Sequence, residues 1–527
     1  MFDFFNKVLE KALTIKTQLS ISPVEFEVYQ YFKNTLKQVK HSKDVVLVQS
    51  VEDTYYLALF GLIVTSLAKC KPIHADQVAF NSLALGESQT LAKFIKSRFL
   101  NRLLRKKWVG LYNAFCDGIG YRSVGFHTPV NDILDFIRAY KCWRSLTCKD
   151  DLIRLKDDDV LIGDLVNDAF LRFKPAPAVN LKDIYLLVII WQAYRDIRRA
   201  KRYFKRVKPK LYLTSYSTYI QHGIATRVAL MFGVRVFSFG NYQELAKELS
   251  LGDWFHTKNP DGYSREFSQL TNLESKIALA NDALNKRISG GIDNATSYMK
   301  QSAYADAGEP VPDVKGAVVV FLHDFYDSPN VYPDMVFPDF WEWICFTIET
   351  LNNANISFVI KPHPNQINLS DAVLFELKQR YPSINLISSK ITNKQLVEAG
   401  VACAVTVYGT VAHEMAYMGV PSIASARHPH ISFDFCKTAK NKIEYAELLR
   451  SSNRLVLEKA EMKRQSLIFY YMHNLNLSEE EKSLMHALSK LRQFYGSSET
   501  KQPINQLDLL QNIASNPAFN AYISKLI

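Results

Sequence analysis

The sequence predicts an α/β protein in two halves, each built on a parallel β-sheet that helices cover on both faces. Short apolar runs alternate with helix-like segments along most of the chain, which is the pattern of strands and helices in parallel sheets. The length of 527 residues provides for two or three domains. The hydrophobic content of 48% and the charged content of 22% are those of an ordinary globular protein.

In the first half, an apolar run at 44–49 predicts a strand, and residues 54–67 predict a helix. A strand at 210–214, a helix at 223–232 and a strand at 234–239 complete this half. Four helical segments lie in between; they are predicted at 88–104, 130–145, 160–173 and 181–207. We interpret them as a helical insertion, because they exceed what a minimal parallel-sheet domain requires.

The second half repeats the alternation at regular spacing. Its predicted strands lie at 317–322, 356–360, 384–387, 401–407 and 422–426. Helical segments separate them at 339–352, 369–381, 393–399 and from 410 onward. Such regular alternation is typical of a Rossmann-like domain.

We therefore divide the chain into four regions. They are an N-terminal Rossmann-like domain with a helical insertion (1–245), an interdomain connection (246–312), a C-terminal Rossmann-like domain (313–440) and a helical tail (441–527) that could pack back on the first domain.

The formal net charge is +12, and basic residues concentrate at 195–210. Such a charge favours an anionic partner, either a membrane face or an acidic glycan. The segment could equally be the solvated end of a long helix, where cations suit the helix dipole. No nucleic-acid-binding motif accompanies it, so we expect no nucleic-acid partner.

The first 20 residues carry apolar side chains at helical spacing. The apolar positions are Phe2, Phe5, Val8, Leu9, Ala12 and Leu13. Such a helix could lie on anionic lipid or dock on the protein's own surface. No signal-peptide core opens the chain, and the seven cysteines show no disulfide framework. We therefore expect a cytoplasmic protein, either free or at the inner face of the cell membrane.

The most informative stretch is 406–421, which reads TVYGTVAHEMAYMGVP. Gly409 and Thr410 end a predicted strand and open a helix, and Glu414 follows one turn later. Free backbone N–H groups and the dipole at a helix start favour phosphate. We expect Tyr408, Gly409 and Thr410 to hold a phosphate and Glu414 to accept hydrogen bonds from a ribose diol.

A second motif, Lys361-Pro-His363-Pro, follows the predicted strand at 356–360. A lysine at the carboxyl end of a parallel strand can neutralise a phosphate as a point charge. His363 can donate to a phosphate oxygen or to a leaving nucleotide, and the prolines stiffen the turn. The alternative is an ordinary proline-rich turn with an exposed basic residue.

Together the two motifs resemble the donor site of GT-B glycosyltransferases, and they are similar to bacterial capsule and surface-polysaccharide transferases. Those include Kdo transferases and the polyol-phosphate polymerases of teichoic-acid synthesis. The likeness covers residues 316–449 best. It implies two Rossmann-like domains facing a central cleft, with a nucleotide-sugar donor on the second. It further implies a glycan or glycolipid acceptor of capsule, O-antigen or lipopolysaccharide assembly that approaches from the first.

Two pairs of polar residues follow other predicted strands of the second half. His323 and Asp324 could meet the donor phosphates or the acceptor, because this loop faces the cleft in similar transferases. Arg427 and His428 could contact a sugar carboxylate or phosphate. In both cases the alternative is an ordinary surface loop.

In the first half, Gln221-His222-Gly223 lies after the strand at 210–214 and resembles a segment of surface-polysaccharide transferases. His222 could bind the acceptor, act as a base or be a structural histidine. Asp53 could be the general base for an acceptor hydroxyl or cap the following helix. The candidate catalytic residues are thus Asp53, His222 and His363.

We expect no cofactor and no metal. The one aspartate run, 157–159, follows basic residues in a predicted loop, and we interpret it as solvated charge. Lys361, His363 and the helix start at 409–410 would supply the positive potential that a cation supplies in other transferases. Two alternatives stay open: a sugar-nucleotide epimerase of the same fold, and a non-catalytic scaffold for polysaccharide assembly.

Overall fold

The computed structural model describes most of the chain. The described residues are 19–36, 42, 44–78, 106–117, 129–174, 176–291, 304, 309–363, 369–455, 457–496 and 505–526. The predicted N-terminal amphipathic helix and the predicted helix at 88–104 lie outside them, apart from the last two residues of the first 20. Within these ranges, two five-stranded, mainly parallel sheets form, one in each half, which confirms the predicted α/β class with two Rossmann-like halves.

The strands of the first sheet are β1 (Val45–Gln49), β2 (His74–Val78), β5 (Leu211–Thr214), β6 (Arg235–Ser238) and β7 (Lys247–Leu249), and a small hairpin joins β3 (Lys156–Asp157) to β4 (Val160–Leu161). The strand order in this sheet is β2-β1-β5-β6-β7, and within it only β7 is antiparallel to its neighbour. The described residues of this half form the helices Pro23–Thr35, Thr54–Cys70, Pro129–Ser145, Lys149–Ile153, Gly163–Phe173, Ile184–Val207 and Tyr219–Met231.

Side chains of β1 alternate between two cores. Leu47 packs with the helix Ile184–Val207 on one face, whereas Val46 and Val48 pack with the helix Thr54–Cys70 on the other. Because side chains of a strand alternate between faces, a strand that is apolar at both sets of positions must be covered on both sides.

The basic segment predicted at 195–210 is partly neutralised by a neighbouring helix. Arg195 and Arg198 of the helix Ile184–Val207 each lie 3.1 Å from the Asp132 carboxylate, and Arg198 also pairs with Asp135 at 2.7 Å. These ion pairs fix the helix Pro129–Ser145 against Ile184–Val207.

The strands of the second sheet are β8 (Val318–Phe321), β9 (Phe358–Lys361), β10 (Cys403–Thr406), β11 (Ser422–Ala424) and β12 (Cys436–Thr438). This sheet is wholly parallel, with the strand order β12-β11-β10-β8-β9. The strand predicted at 384–387 is reduced to one bridge, between Leu386 and Ile360 of β9. With that bridge the order is that of a Rossmann sheet, whose switch point lies between β8 and β10.

Helices connect and follow this sheet. Those of the connection and of the second half are Tyr263–Ser268, Leu273–Ile288, Phe340–Asn353, Leu369–Arg380, Asn393–Glu398, Val411–Tyr417 and Lys442–Arg450. The last four helices are Lys459–Tyr470, Glu479–Gly496, Gln506–Ser515 and Pro517–Leu526. The first of these four packs on Leu273–Ile288 and Val411–Tyr417, and the other three pack on Thr54–Cys70 of the first half.

The helix Gly163–Phe173 of the first half meets the loop after β8 of the second half. Asp168 of the first half accepts hydrogen bonds from the Ser328 hydroxyl and from the Asn330 side chain, the latter at 2.6 Å. Burial raises the pKa of Tyr408, which follows β10, and the nearby Tyr219, which follows β5, adds to that rise. The ends of β5, β8 and β10 therefore face one another across the domain boundary. Among the described residues, no helix combines the length and the apolar character needed to cross a membrane.

The C-terminal helices complete the core of the first half, and Phe519 is fully buried there. We expect Phe519→Ala to lower the free energy of unfolding by about 3–5 kcal/mol, because it leaves a cavity in that core. Urea denaturation followed by circular dichroism measures the loss. The neighbouring exposed Asn520→Ala is the matched control, and equal midpoints for the two variants would contradict this packing.

Candidate functional site

A buried network joins Lys361 to Glu414 at the edge of the second sheet. Lys361 is the last residue of β9 and is only 2% exposed. Its ammonium donates to Asn393 Oδ1 at 2.8 Å, and Asn393 Nδ2 donates to Glu414 Oε2 at 3.3 Å. The lysine and the carboxylate of the two sequence motifs therefore lie in one site, linked by a single amide.

Both oxygens of Glu414 are already bonded. Its Oε1 lies 2.7 Å from Arg287 of the helix Leu273–Ile288, and its Oε2 accepts from the Tyr304 hydroxyl as well as from Asn393. A buried carboxylate needs such partners, because an unpaired charge is costly away from water. In this arrangement Glu414 is buried and bonded to protein groups, and its role in ribose binding stays a prediction.

The ammonium group of Lys361 gives up its proton more readily than that of an ordinary lysine. Burial lowers the pKa of Lys361 to about 8, and the opposing charge of Glu414 limits the decrease. The ammonium also lies 5.7 Å from the centre of the Phe321 ring. At neutral pH the group still carries its proton, so it offers a desolvated positive charge at the strand end.

The turn after β10 uses its glycine for a close backbone approach. The Gly409 N–H donates to Thr406 Oγ1 at 3.1 Å, and a Cβ at this position would meet that oxygen at 2.8 Å. Thr406 Oγ1 also lies 3.1 Å from His323 Nε2. The Gly409 N–H that the sequence assigns to phosphate is thus already bonded, whereas Thr410 is exposed at the start of the helix.

His323 forms part of an aromatic wall beside this turn. Its ring stacks on Phe340 at 5.0 Å and contacts Tyr408 at 4.6 Å between ring centres. Burial lowers the pKa of His323 to about 3, so the imidazole is neutral at physiological pH. The Tyr408 hydroxyl donates to the Ser328 carbonyl at 3.0 Å, so Tyr408 is held by the loop after β8.

His363 and Asp324 are neighbours in the loops after β9 and β8. Burial lowers the pKa of His363, whereas the charge of Asp324 raises it and that of Lys361 lowers it further. Asp324 Oδ1 accepts from the Ser370 hydroxyl at 3.0 Å. The ends of the adjacent strands β8 and β9 therefore bring together four residues from two sequence motifs: His323, Asp324, Lys361 and His363.

Arg427 and His428, the predicted pair after β11, make their contacts outside this group of residues. Arg427 forms an ion pair with Asp261 of the connection. His428 is 1% exposed, its Nε2 lies 2.5 Å from Thr438 Oγ1 and its Nδ1 accepts from the His430 N–H at 3.0 Å. Both ring nitrogens are engaged inside the core, so a contact of His428 with donor or acceptor does not fit this structure.

Asp53 caps the helix Thr54–Cys70. Its Oδ1 accepts from the backbone N–H groups of Tyr55 at 2.7 Å and Tyr56 at 3.3 Å. The capping interpretation is therefore correct. Because the residue is also exposed, its role as a general base stays a prediction.

His222 lies at the switch point of the first sheet, between the ends of β1 and β5. Its Nδ1 is 2.8 Å from Gln49 Nε2, while Gln49 Oε1 accepts from Thr214 and Ser215 at 2.9 Å. This network assigns the amide as donor to Nδ1, so Nε2 carries the ring proton. Burial lowers the pKa of His222 to about 4, which favours a hydrogen-bond donor over the predicted base.

Three residues of the buried network lie outside the motifs that the sequence analysis identified. Asn393 follows Thr392, whose capping box with Gln395 fixes the start of that helix. This box is the one local signal that could have drawn attention to Asn393. Arg287 and Tyr304 come from the region predicted as a connection, where the sequence gives no indication of a site.

No protein-family model and no curated protein sequence matches the chain. It is similar to several solved enzymes. One is the UDP-GlcNAc 2-epimerase of Methanocaldococcus jannaschii in complex with UDP-GlcNAc and UDP, at 10% identity, with 79% of this chain and 93% of that chain covered and a TM-score of 0.26. The corresponding epimerase of Neisseria meningitidis bound to UDP-GlcNAc is 9% identical, with 81% and 99% covered and a TM-score of 0.23.

A third is the wall teichoic acid polymerase TagF, at 9% identity, with 93% of this chain and 98% of that chain covered and a TM-score of 0.19.

The buried ion pair between Arg287 and Glu414 should couple the two residues strongly. We expect Arg287→Met and Glu414→Gln each to cost about 3–5 kcal/mol of stability, because either leaves a buried charge without its partner. The double variant should cost clearly less than the two losses combined. Urea denaturation of the four proteins measures this coupling.

The exposed pair Arg235–Glu248 (2.9 Å) provides the matched control. A corresponding double-mutant cycle there should show a coupling of at most about 1 kcal/mol. Strictly additive losses at Arg287 and Glu414 would contradict the buried pair.

Stability should fall as the pH drops below about 6.5, the ordinary histidine pKa. Burial lowers the pKa of five buried histidines; they are His256, His413, His428, His430 and His473. Below pH 6.5 the unfolded chain takes up protons that the folded chain refuses, at up to about 1.4 kcal/mol per pH unit for each histidine. Two buried carboxyls with raised pKa, Asp168 and Asp339, act in the opposite direction but are outnumbered.

Urea midpoints measured on both sides of that pH test this expectation. The double variant His428→Gln/His430→Gln should show a shallower dependence of stability on pH. A wild-type midpoint that is unchanged or higher in acid would contradict it.

Proposed function

We propose that the chain is a glycosyltransferase that moves a sugar from a nucleotide-activated donor to a glycan or glycolipid of bacterial surface-polysaccharide assembly. The observation that carries the proposal is the convergence of Lys361, His363 and His323 at adjacent strand ends, with Glu414 linked to Lys361 through one amide. Open parallel sheets bind ligands at the carboxyl ends of their strands near the switch point, and these groups lie at or after the ends of β8, β9 and β10, the strands at and beside that point.

The donor phosphates would lie against the cationic edge of the second sheet. Lys361 supplies a desolvated charge, and Arg287 supplies a second cation held by Glu414. In our proposal a donor phosphate pairs with Arg287 in place of Glu414. The ribose diol then donates hydrogen bonds to the carboxylate oxygen of Glu414 that this exchange frees. Preorganised charges of this kind stabilise a departing nucleotide, so we propose that transfer needs no metal.

The acceptor would approach from the switch point of the first sheet. His222 presents an N–H there because its Nδ1 faces Gln49, and it would bind an acceptor oxygen. Asp53 is the candidate base for the attacking hydroxyl. This division assigns donor and acceptor to opposite halves, which meet where Asp168 accepts a hydrogen bond from Asn330.

A thermal-shift screen with CMP, CDP, UDP and GDP tests the donor site. One nucleotide should raise the melting temperature, since binding at 100 times Kd adds about 2.7 kcal/mol to stability. Lys361→Met should abolish that rise while leaving the circular dichroism spectrum unchanged. The control is Lys394→Met, an exposed lysine on the adjacent helix, and it should bind as wild type does. No rise with any nucleotide would refute the proposal.

The reaction itself separates the transferase from an epimerase. A nucleotide sugar incubated with the protein and no acceptor should remain unchanged apart from slow hydrolysis. Isomerised sugar would instead establish the epimerase.

A further inference from the structure

An exposed apolar stripe runs along the outer face of the helix Pro129–Ser145. Its members lie at helical spacing and expose 43% to 64% of their surface; they are Val130, Ile133, Leu134, Ile137 and Tyr140. The opposite face holds the buried Asp135 and Ala139 and packs on the helix Ile184–Val207. Single exposed apolar residues are normal on proteins, but five on one helix face form a patch that needs a partner.

Cationic side chains stand at both ends of the stripe. Lys141 and Arg144 are exposed and follow Ile137 on the same face of the helix, four and seven residues further on. At the other end, Arg198 of the packed helix pairs with Asp132. About two turns of the helix Ile184–Val207 follow Arg198, and they carry the exposed cations Arg202, Lys205 and Arg206.

We propose that the stripe is a membrane-binding surface that lays the helix Pro129–Ser145 flat on an anionic bilayer. Its apolar side chains would enter the boundary between headgroups and acyl chains. Lys141 and Arg144 would keep their apolar stems near that boundary and their charges at the headgroups.

Charge decides between a bilayer and a second copy of the chain. In a symmetric dimer the same patch lies on both subunits, so the cations that bracket one stripe would lie near those of the other. Like charges brought together across an interface oppose association. An anionic bilayer instead complements the apolar centre and the basic ends at once.

Co-sedimentation of the full chain with vesicles tests this surface. Wild type should bind vesicles that contain phosphatidylglycerol and bind phosphatidylcholine vesicles much less. Ile133→Asn/Ile137→Asn should weaken binding by about tenfold or more, because the apolar side chains that insert are lost. Both positions are exposed, so the variant should fold as wild type does.

Leu279→Asn/Phe375→Asn is the matched control, because these apolar residues are equally exposed on other helices. Lys141→Gln/Arg144→Gln should lower binding to anionic vesicles and its sensitivity to salt. The proposal fails if wild type does not bind anionic vesicles, or if the stripe variant binds them as wild type does. It also fails if light scattering shows a dimer that the stripe variant loses. None of these measurements requires transfer activity, so they stand apart from the proposed function.

Discussion

The carboxylate of Glu414 is the constraint on which the candidate site depends. A charge buried this deeply must be paired, and its partner Arg287 comes from the connecting helix rather than from the sheet. The pair therefore fixes the helix Leu273–Ile288 against the second sheet. Through Asn393 it also fixes the position of the Lys361 ammonium. One ionised group thus organises elements that are far apart in the sequence.

The same principle of paired polar groups operates at the boundary between the halves. Asp168 is 1% exposed and accepts hydrogen bonds from the loop after β8. Burial raises the pKa of Asp168 to about 7, so this contact is sensitive to protonation near neutral pH. Apolar packing alone would allow the two halves to slide, whereas these directional bonds fix how the sheet ends face each other.

Apolar periodicity was sufficient to predict β1, β5, β8, β9 and β10, and hence the fold class. It missed β2, whose sequence HADQV is polar, because Asp76 is buried as the acceptor of the Tyr203 hydroxyl. The motifs after β9 and β10 predicted that Lys361 and Glu414 lie in one site, and Asn393 links the two side chains. The motifs could not show that His428 is in the core or that Glu414 is already paired, since burial and distant partners leave no local pattern.

The helices that end the described chain contribute Ile513 and Phe519 to the core around Thr54–Cys70. The ribosome makes that helix well before these partners, because the whole second half lies between them in the sequence. The first half therefore cannot complete its core until these helices have been synthesised, and until then the apolar surface that they cover is exposed or bound by a chaperone. Folding of the N-terminal half thus depends on a segment that is synthesised after the entire second half.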